Sequence, residues 1–137
     1  GIDIEVIREP NDGYWSNVWN NDAKGWCACY WGGRPAETMM FSAAYVAESK
    51  WNDTSWKTTD SAVKFNQLVK DARKELDENK KRDILFECQR LIYDDGGLLC
   101  PLFNSYVSAN SKKIAHGKIA ANWDSDGAKC VERWWFA

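Results

Sequence analysis

The chain has 137 residues, the size of one domain, and its 18 Lys and Arg residues against 20 Asp and Glu residues give a formal net charge of −2. Because this balance gives no general attraction to polyanions, we do not expect nucleic acid as a partner. Hydrophobic residues make up 45% and charged residues 28% of the sequence, which excludes intrinsic disorder and collagen-like repeats. The apolar runs are too short to span a membrane.

The first half of the chain is predicted to contain two strands, two short helices and a loop. Residues 2–7 alternate apolar and charged side chains, which is typical of a half-buried strand. Apolar residues at helical spacing predict a short helix over 14–20. The unbroken apolar run over 26–31 predicts a strand buried on both faces. We expect a short helix over 37–46 and a loop over 50–57.

The second half contains the clearest helical patterns. An amphipathic stripe predicts a helix over residues 60–76, with Asp60 as its N-cap. A second helix is predicted over residues 80–93, with Asn79 able to cap its start and two glycines, at 96 and 97, ending it.

The remaining C-terminal sequence predicts one more strand and an apolar chain end. Residues 98–106 are apolar but contain Pro101, so this strand should carry its proline at its start, at an edge or in a bulge. Residues 134–136, Trp-Trp-Phe, are too apolar to be left in water. The order of the elements predicts an α/β fold with a short mixed sheet flanked by helices.

Five cysteines occur, at positions 27, 29, 88, 100 and 130, and their spacing matches no zinc-binding pattern. Cys27 and Cys29 lie two apart on a predicted strand, which places their Cα atoms roughly 6.6 Å apart. That separation is at the far edge of disulfide geometry, so we expect no bond between them. We expect both thiols to be buried as small hydrophobic groups.

No catalytic constellation is apparent in the sequence. The one histidine, His116, lies in a polar turn rich in lysine and glycine, where a solvent-facing role is expected. The neighbouring Asp94 and Asp95 are expected to face water, and the glycines at 32 and 33 lack the spacing of a phosphate-binding loop. We therefore predict no enzyme activity, no metal site and no cofactor.

One corner of the sequence combines residue types that suit a ligand. Tyr30 and Trp31 end the apolar run, the glycine pair that follows leaves the backbone approachable, and Arg34 then supplies a planar guanidinium. Ligands of open α/β sheets bind beyond the carboxyl ends of strands, which is where this corner would lie. From the residues alone, a ligand-binding corner and a plain packed turn both remain open.

Taken in order, several pieces of the chain resemble the C-terminal part of the family 5 (peptide/opine/nickel-type) extracellular solute-binding proteins of ABC transporters. The matching pieces are Gly1-Ile2-Asp3-Ile4-Glu5-Val6, Trp31-Gly32-Gly33, Phe41, Leu68-Val69-Lys70-Asp71-Ala72-Arg73, Lys81-Arg82, Gln89-Arg90-Leu91-Ile92, Pro101-Leu102-Phe103 and His116-Gly117. No single piece is diagnostic. Their order over nearly the whole chain carries the resemblance.

Such proteins have two lobes that close on the ligand, in the type II, peptide-binding-like form of the periplasmic-binding-protein fold. The resemblance implies that this chain is a C-terminal fragment of a longer periplasmic protein, and no signal peptide is visible in it. Residues 1–106 would be part of the second ligand-binding lobe, and 107–137 the tail that returns to the first. A fragment should expose apolar surface, so we expect self-association through residues 134–136.

The resemblance also assigns ligand contacts. In peptide-binding members, the backbone around the W-x-G corner pairs with the ligand like an added strand, a role that falls here on Tyr30, Trp31 and Gly32. Those members hold the ligand's α-ammonium with an Asp three residues after the Trp, where this chain has Arg34. Either Glu37 takes over that role, or the ligand presents a carboxylate or another anion to Arg34, which we favour.

The function implied by the resemblance is ligand capture without catalysis. The chain would be part of the substrate-binding component of a bacterial ABC importer, passing an oligopeptide or a related amino-acid derivative to a membrane permease. Nine Trp residues also permit an aromatic-rich carbohydrate-binding protein of the same transporter class, which exposed coplanar rings would favour. A stand-alone enzyme domain is the third hypothesis, and the missing catalytic constellation argues against it.

Overall fold

The computed structural model describes residues 1–137 except for the side chain of Lys24, and over this described part the chain is a small mixed α/β protein. It has six α-helices and one antiparallel sheet of two strands. The helices are α1 (Tyr14–Asn17), α2 (Glu37–Met40), α3 (Asp60–Ala72), α4 (Glu78–Asp95), α5 (Asp124–Ala128) and α6 (Cys130–Arg133), and the strands are β1 (Ile114–His116) and β2 (Trp134–Phe136). No described helix is both long and apolar enough to cross a membrane.

The core is built on the packing of α3 against α4, the two helices that the sequence predicts most clearly. The buried side chains of α3 are Ala62, Phe65, Val69 and Ala72, a spacing that keeps them on one face of the helix. The buried side chains of α4, Cys88, Leu91 and Ile92, complete the contact. The amphipathic pattern therefore predicted both helices and most of the faces that they bury, but Leu76, the last residue of the predicted stripe, lies beyond α3 and is exposed.

The N-caps of α3 and α4 each precede the predicted ones, and α3 ends at Ala72 rather than 76 while α4 continues to Asp95 rather than 93. The Thr59 hydroxyl, not Asp60, accepts the cap hydrogen bond of α3 from the backbone N–H of Ala62, at 3.2 Å. The Asp77 carboxylate, not Asn79, caps α4. Each capping residue immediately precedes its helix, so its side chain can accept hydrogen bonds from the free N–H groups of the first turn that follows.

The chain segment after α2 extends the core. It makes a wider helical turn over residues 41–45, so the helix predicted over 37–46 is confirmed in extent. Phe41 from this turn and Trp56 lie on either side of Phe65, with ring centroids 5.6 Å and 5.1 Å away respectively. These aromatic contacts pack the turn and the following loop onto the α3–α4 pair.

A buried amide fixes the loop between this turn and α3. Asn52 is 1% exposed, and its Nδ2 donates to the carbonyl oxygens of Tyr45, Val46 and Trp56 at 3.1–3.3 Å. Its Oδ1 accepts a hydrogen bond from the Thr54 hydroxyl at 3.1 Å. The side chain thus supplies donors to the buried carbonyls of Tyr45 and Trp56, whereas the part-buried Val46 carbonyl also accepts from the backbone N–H of Ser49.

The start of α3 and the end of α4 are joined by one carboxylate. Asp95 Oδ2 accepts hydrogen bonds from Trp56 Nε1 and Thr59 Oγ1, each at 2.7 Å, and from the Ser61 hydroxyl. These bonds, the one from Ser61 first, lower the pKa of Asp95 below its ordinary value because they favour the ionised form. The sequence predicts that Asp95 faces water. The residue is exposed, as predicted, but its carboxylate is hydrogen-bonded to Trp56, Thr59 and Ser61.

The three strands predicted over residues 2–7, 26–31 and 98–106 are not formed. All three segments are irregular and exposed apart from Trp31 and Leu98, which are half-buried, so the strand at 26–31 is not buried on both faces. A strand needs a hydrogen-bonding neighbour, and in the described structure none of these segments lies in a ladder. Alternation along the sequence indicates an amphipathic extended segment but cannot supply that neighbour.

The sheet lies in the C-terminal segment, between β1 and β2. His116 faces Trp134 in the register, and the two rings lie 5.1 Å apart. Asp126, 3% exposed, accepts hydrogen bonds from Ala120 N and Trp134 Nε1 and pairs with Arg133 at 2.9 Å. The α/β class is confirmed, whereas the sheet is antiparallel and two-stranded, not mixed.

The apolar chain end is only partly covered by its own chain. The Trp134 ring is half-buried through its contacts within the C-terminal segment, but Trp135 and Phe136 are exposed. Self-association through this end of the chain stays a prediction.

We expect Asn52→Ala to lower the free energy of unfolding by about 3 kcal/mol, because it leaves buried carbonyl groups without donors. The measurement is urea unfolding followed by tryptophan fluorescence. Asn79→Ala is the matched control, since Asn79 is exposed at the start of α4, and it should change the stability by less than about 0.5 kcal/mol. Equal stability of the two variants would show that Asn52 does not anchor the loop.

Candidate ligand-binding site

Five aromatic side chains surround an open recess of about 350 Å³, which we call the aromatic recess. Its lining includes Trp15, Trp19, Tyr30, Trp31 and Trp51, together with Gly32 and Arg34. These residues come from three stretches of chain, near positions 15–19, 30–34 and 51. Pockets that bind small molecules begin at about 300 Å³, so the recess has room for a small ligand or for one group of a larger one.

Trp19 holds the rings together. It follows α1 and lies one helical turn after Trp15, whose ring meets it edge-to-face at 5.6 Å. The Trp51 ring stacks on it at 5.7 Å with an interplanar angle of 26°, and the Trp31 ring lies 6.2 Å away at 62°. Edge-to-face and offset stacked pairs are the arrangements that aromatic quadrupoles favour.

The Asp53 carboxylate fixes the orientation of two of these rings. Its Oδ2 accepts hydrogen bonds from Trp19 Nε1 at 2.7 Å and from Trp31 Nε1 at 3.1 Å. The Cys29 thiol donates to the same oxygen at 3.5 Å. Asp53 follows the buried Asn52 directly, so the anchored loop delivers this carboxylate to both indoles.

The polar hydrogens around the recess are held firmly. Burial, followed by the negative charge of Asp53, raises the pKa of Cys29 to about 12. Burial and a hydrogen bond with Cys27 raise the pKa of Tyr14 to about 12, and the Tyr14 hydroxyl donates to Ala28 O at 2.5 Å. These groups therefore keep their protons at neutral pH.

Arg34 folds back along its own loop. Its Nη1 donates to the carbonyl oxygens of Gly32 at 2.7 Å and Gly33 at 3.2 Å, and its guanidinium lies 5.8 Å from the centre of the Trp123 ring. A Cβ atom at Gly33 would lie 3.1 Å from the Tyr106 hydroxyl, so a small residue suits this close approach.

The structure brings together four of the five residues predicted to bind ligand. Tyr30, Trp31, Gly32 and Arg34 line the aromatic recess. Glu37 does not, because it begins α2 and lies in a separate cleft beside the first turns of α4. The arrangement therefore favours Arg34 over Glu37 as the charged group beside the W-x-G corner.

Sequence reasoning missed the residues that complete the recess. The sequence predicts Trp15 and Trp19 as part of the apolar face of a short helix, and it predicts Trp51 and Asp53 as parts of a loop. The count of nine Trp was the available signal, but it does not say which rings meet.

The cysteine prediction was wrong about burial. Cys27 and Cys29 are free thiols, and both residues are exposed because the strand expected to bury them is not formed. The Cys29 thiol itself is turned against Asp53, as its hydrogen bond shows. Among the described residues, no group of three or more His, Cys, Asp or Glu side chains is arranged to hold a metal ion.

No protein-family model, curated protein or solved structure matches the chain.

We expect Asp53→Asn to increase the rate at which Cys29 reacts with a thiol reagent, by roughly threefold to tenfold, because removing the negative charge lowers the thiol pKa. Peptide mapping by mass spectrometry after timed labelling measures each cysteine separately. Cys130, in α6, is the internal control and should react at an unchanged rate. An unchanged rate at Cys29 would show that Asp53 does not control this thiol.

Proposed function

We propose that this chain is part of the substrate-binding component of a bacterial ABC importer and takes part in capturing an oligopeptide or a related amino-acid derivative. The observation that carries the proposal is the aromatic recess itself. Tyr30, Trp31, Gly32 and Arg34, the residues to which the family 5 resemblance points, line it beside three Trp rings from elsewhere in the chain.

The backbone next to the recess supports a peptide-like ligand. Residues 26–33 are irregular and exposed apart from Trp31, and among the described residues their N–H groups take part in no backbone–backbone hydrogen bond. Such a segment can pair with an extended peptide as a neighbouring strand would. The side chains of the peptide would then contact the rings of the recess.

The exposed apolar segments fit a chain that packs against further structure. Ile2, Ile4 and Val6 are exposed, as are Leu99, Phe103 and Val107 later in the chain. In the proposed protein, residues 1–106 are part of the second ligand-binding lobe of a two-lobed type II fold, and residues 107–137 are the tail that returns to the first lobe. The parent protein would act in the periplasm and deliver its ligand to a membrane permease.

The two rival functions have less support. A sugar-binding platform presents exposed coplanar rings, but here the near-parallel pair, Trp19 and Trp51, stack on each other and so cover one another's faces. An enzyme would need a nucleophile or base in the recess. His116 lies instead in β1, with Nδ1 2.8 Å from Gly117 O and its ring beside Trp134.

To test the proposal, a defined pool of short peptides is incubated with the 137-residue chain, and the retained peptides are identified by mass spectrometry. The affinity of each retained peptide is then measured by calorimetry. We expect Tyr30→Ala to lower the affinity for the retained peptides by roughly threefold to tenfold, because aromatic stacking contributes about 0.5–1.5 kcal/mol to binding. Tyr93→Ala removes another exposed tyrosine, one in α4 and outside the aromatic recess, and should leave the affinity unchanged.

Three outcomes would contradict the proposal. They are retention of no peptide from the pool, an equal loss of affinity in the two variants, and cleavage of peptides during the incubation, which would point to the enzyme hypothesis.

A further inference from the structure

The walls of the aromatic recess combine aromatic carbon surface with a smaller share of polar surface. The indole N–H groups of Trp19 and Trp31 are both directed to Asp53, so neither is free for a ligand. Trp15 and Tyr30 meet at 88° with centroids 5.7 Å apart and form a right-angled corner. Tyr30 is 76% exposed, so this corner is open to solvent. A flat ring that enters it can meet one aromatic face and one aromatic edge at the same time.

Arg34 is the charged side chain of the described lining. The hydrogen bonds that it makes within the described residues use Nη1 alone, and it belongs to none of their ion pairs. Its Nε and Nη2 edge therefore keeps two parallel donors. That edge matches the two oxygens of a carboxylate, and the bonds to Gly32 and Gly33 fix the plane of the guanidinium in advance.

Resting on the proposed function, we infer that the recess recognises an aromatic ring bearing a carboxylate on a short chain, as at the C-terminus of a peptide that ends in an aromatic residue. The ring occupies the corner between Trp15 and Tyr30, and the carboxylate pairs with the Nε–Nη2 edge of Arg34. A recess of about 350 Å³ accommodates one such group.

Two other ligand classes fit the same site less well. A sugar has hydroxyl groups that need partners, and two of the lining indole donors, those of Trp19 and Trp31, are already bound to Asp53. An ammonium group would gain from the aromatic rings, but Arg34 at the recess repels it. The corner between Trp15 and Tyr30 and the available guanidinium edge of Arg34 together favour an anionic, aromatic ligand.

The test is calorimetric titration of the 137-residue chain with four probes: 3-phenylpropionate, its uncharged amide, 2-phenylethylamine and maltose. We expect the carboxylate to bind at least roughly tenfold more tightly than the amide. This preference should fall to about unity in Arg34→Gln. Arg82→Gln is the matched control, because Arg82 is an exposed arginine of α4 outside the aromatic recess, and it should keep the full preference.

The carboxylate–amide comparison in the unmodified chain needs no variant, so the inference stays testable even if Arg34→Gln fails to fold. Equal binding of carboxylate and amide, tighter binding of the amine or of maltose, no saturable binding of any probe, or a preference that survives in Arg34→Gln would each overturn it. Peptide binding that depends on Tyr30 without a carboxylate preference would overturn this ligand class and leave the capture function standing. Absence of both kinds of binding would overturn both.

Discussion

The site depends on one buried amide, that of Asn52. Because its Nδ2 is bound to three backbone carbonyls, the loop before α3 has one fixed path across the helix pair. The loop therefore places the two residues beside Asn52 in the sequence at the aromatic recess. Trp51 stacks on Trp19, and Asp53 accepts hydrogen bonds from the indoles of Trp19 and Trp31. A core requirement, that buried carbonyls find donors, thus determines the geometry of a surface site.

Asp53, held in place by that loop, fixes the orientation of the Trp19 and Trp31 rings. Each indole has one polar hydrogen. When that hydrogen is bonded to a carboxylate, the ring can rotate only a little before the hydrogen bond is lost. Trp19 and Trp31 come from different stretches of chain, so their shared acceptor joins segments whose regular structure is limited to α1 and a short 3-10 turn at Asp22–Lys24. The same commitment removes donors from the recess and leaves Arg34 to decide which ligand charge is favoured.

The sequence predicted what depends on local periodicity and missed what depends on distant partners. Helices α3 and α4 were predicted with most of their buried faces, since a stripe such as Phe65, Val69 and Ala72 is visible in the sequence itself. The strand predictions failed because a ladder needs a second segment that alternation cannot identify. Residues 30–34 were found because they are contiguous, whereas Trp15, Trp51 and Asp53 reach the recess only through the fold.

Hydrogen exchange of the indole Nε1–H groups, followed by NMR, tests the central claim that Asp53 holds the rings. Trp19 and Trp31 should exchange slowly, unlike the exposed Trp26, and in Asp53→Ala both should lose protection together. Trp56, bound to Asp95, and Trp134, bound to Asp126, are internal controls that should keep their protection in the variant. Exchange of Trp19 and Trp31 as rapid as that of Trp26 in the unmodified chain, or protection unchanged in Asp53→Ala, would contradict the account.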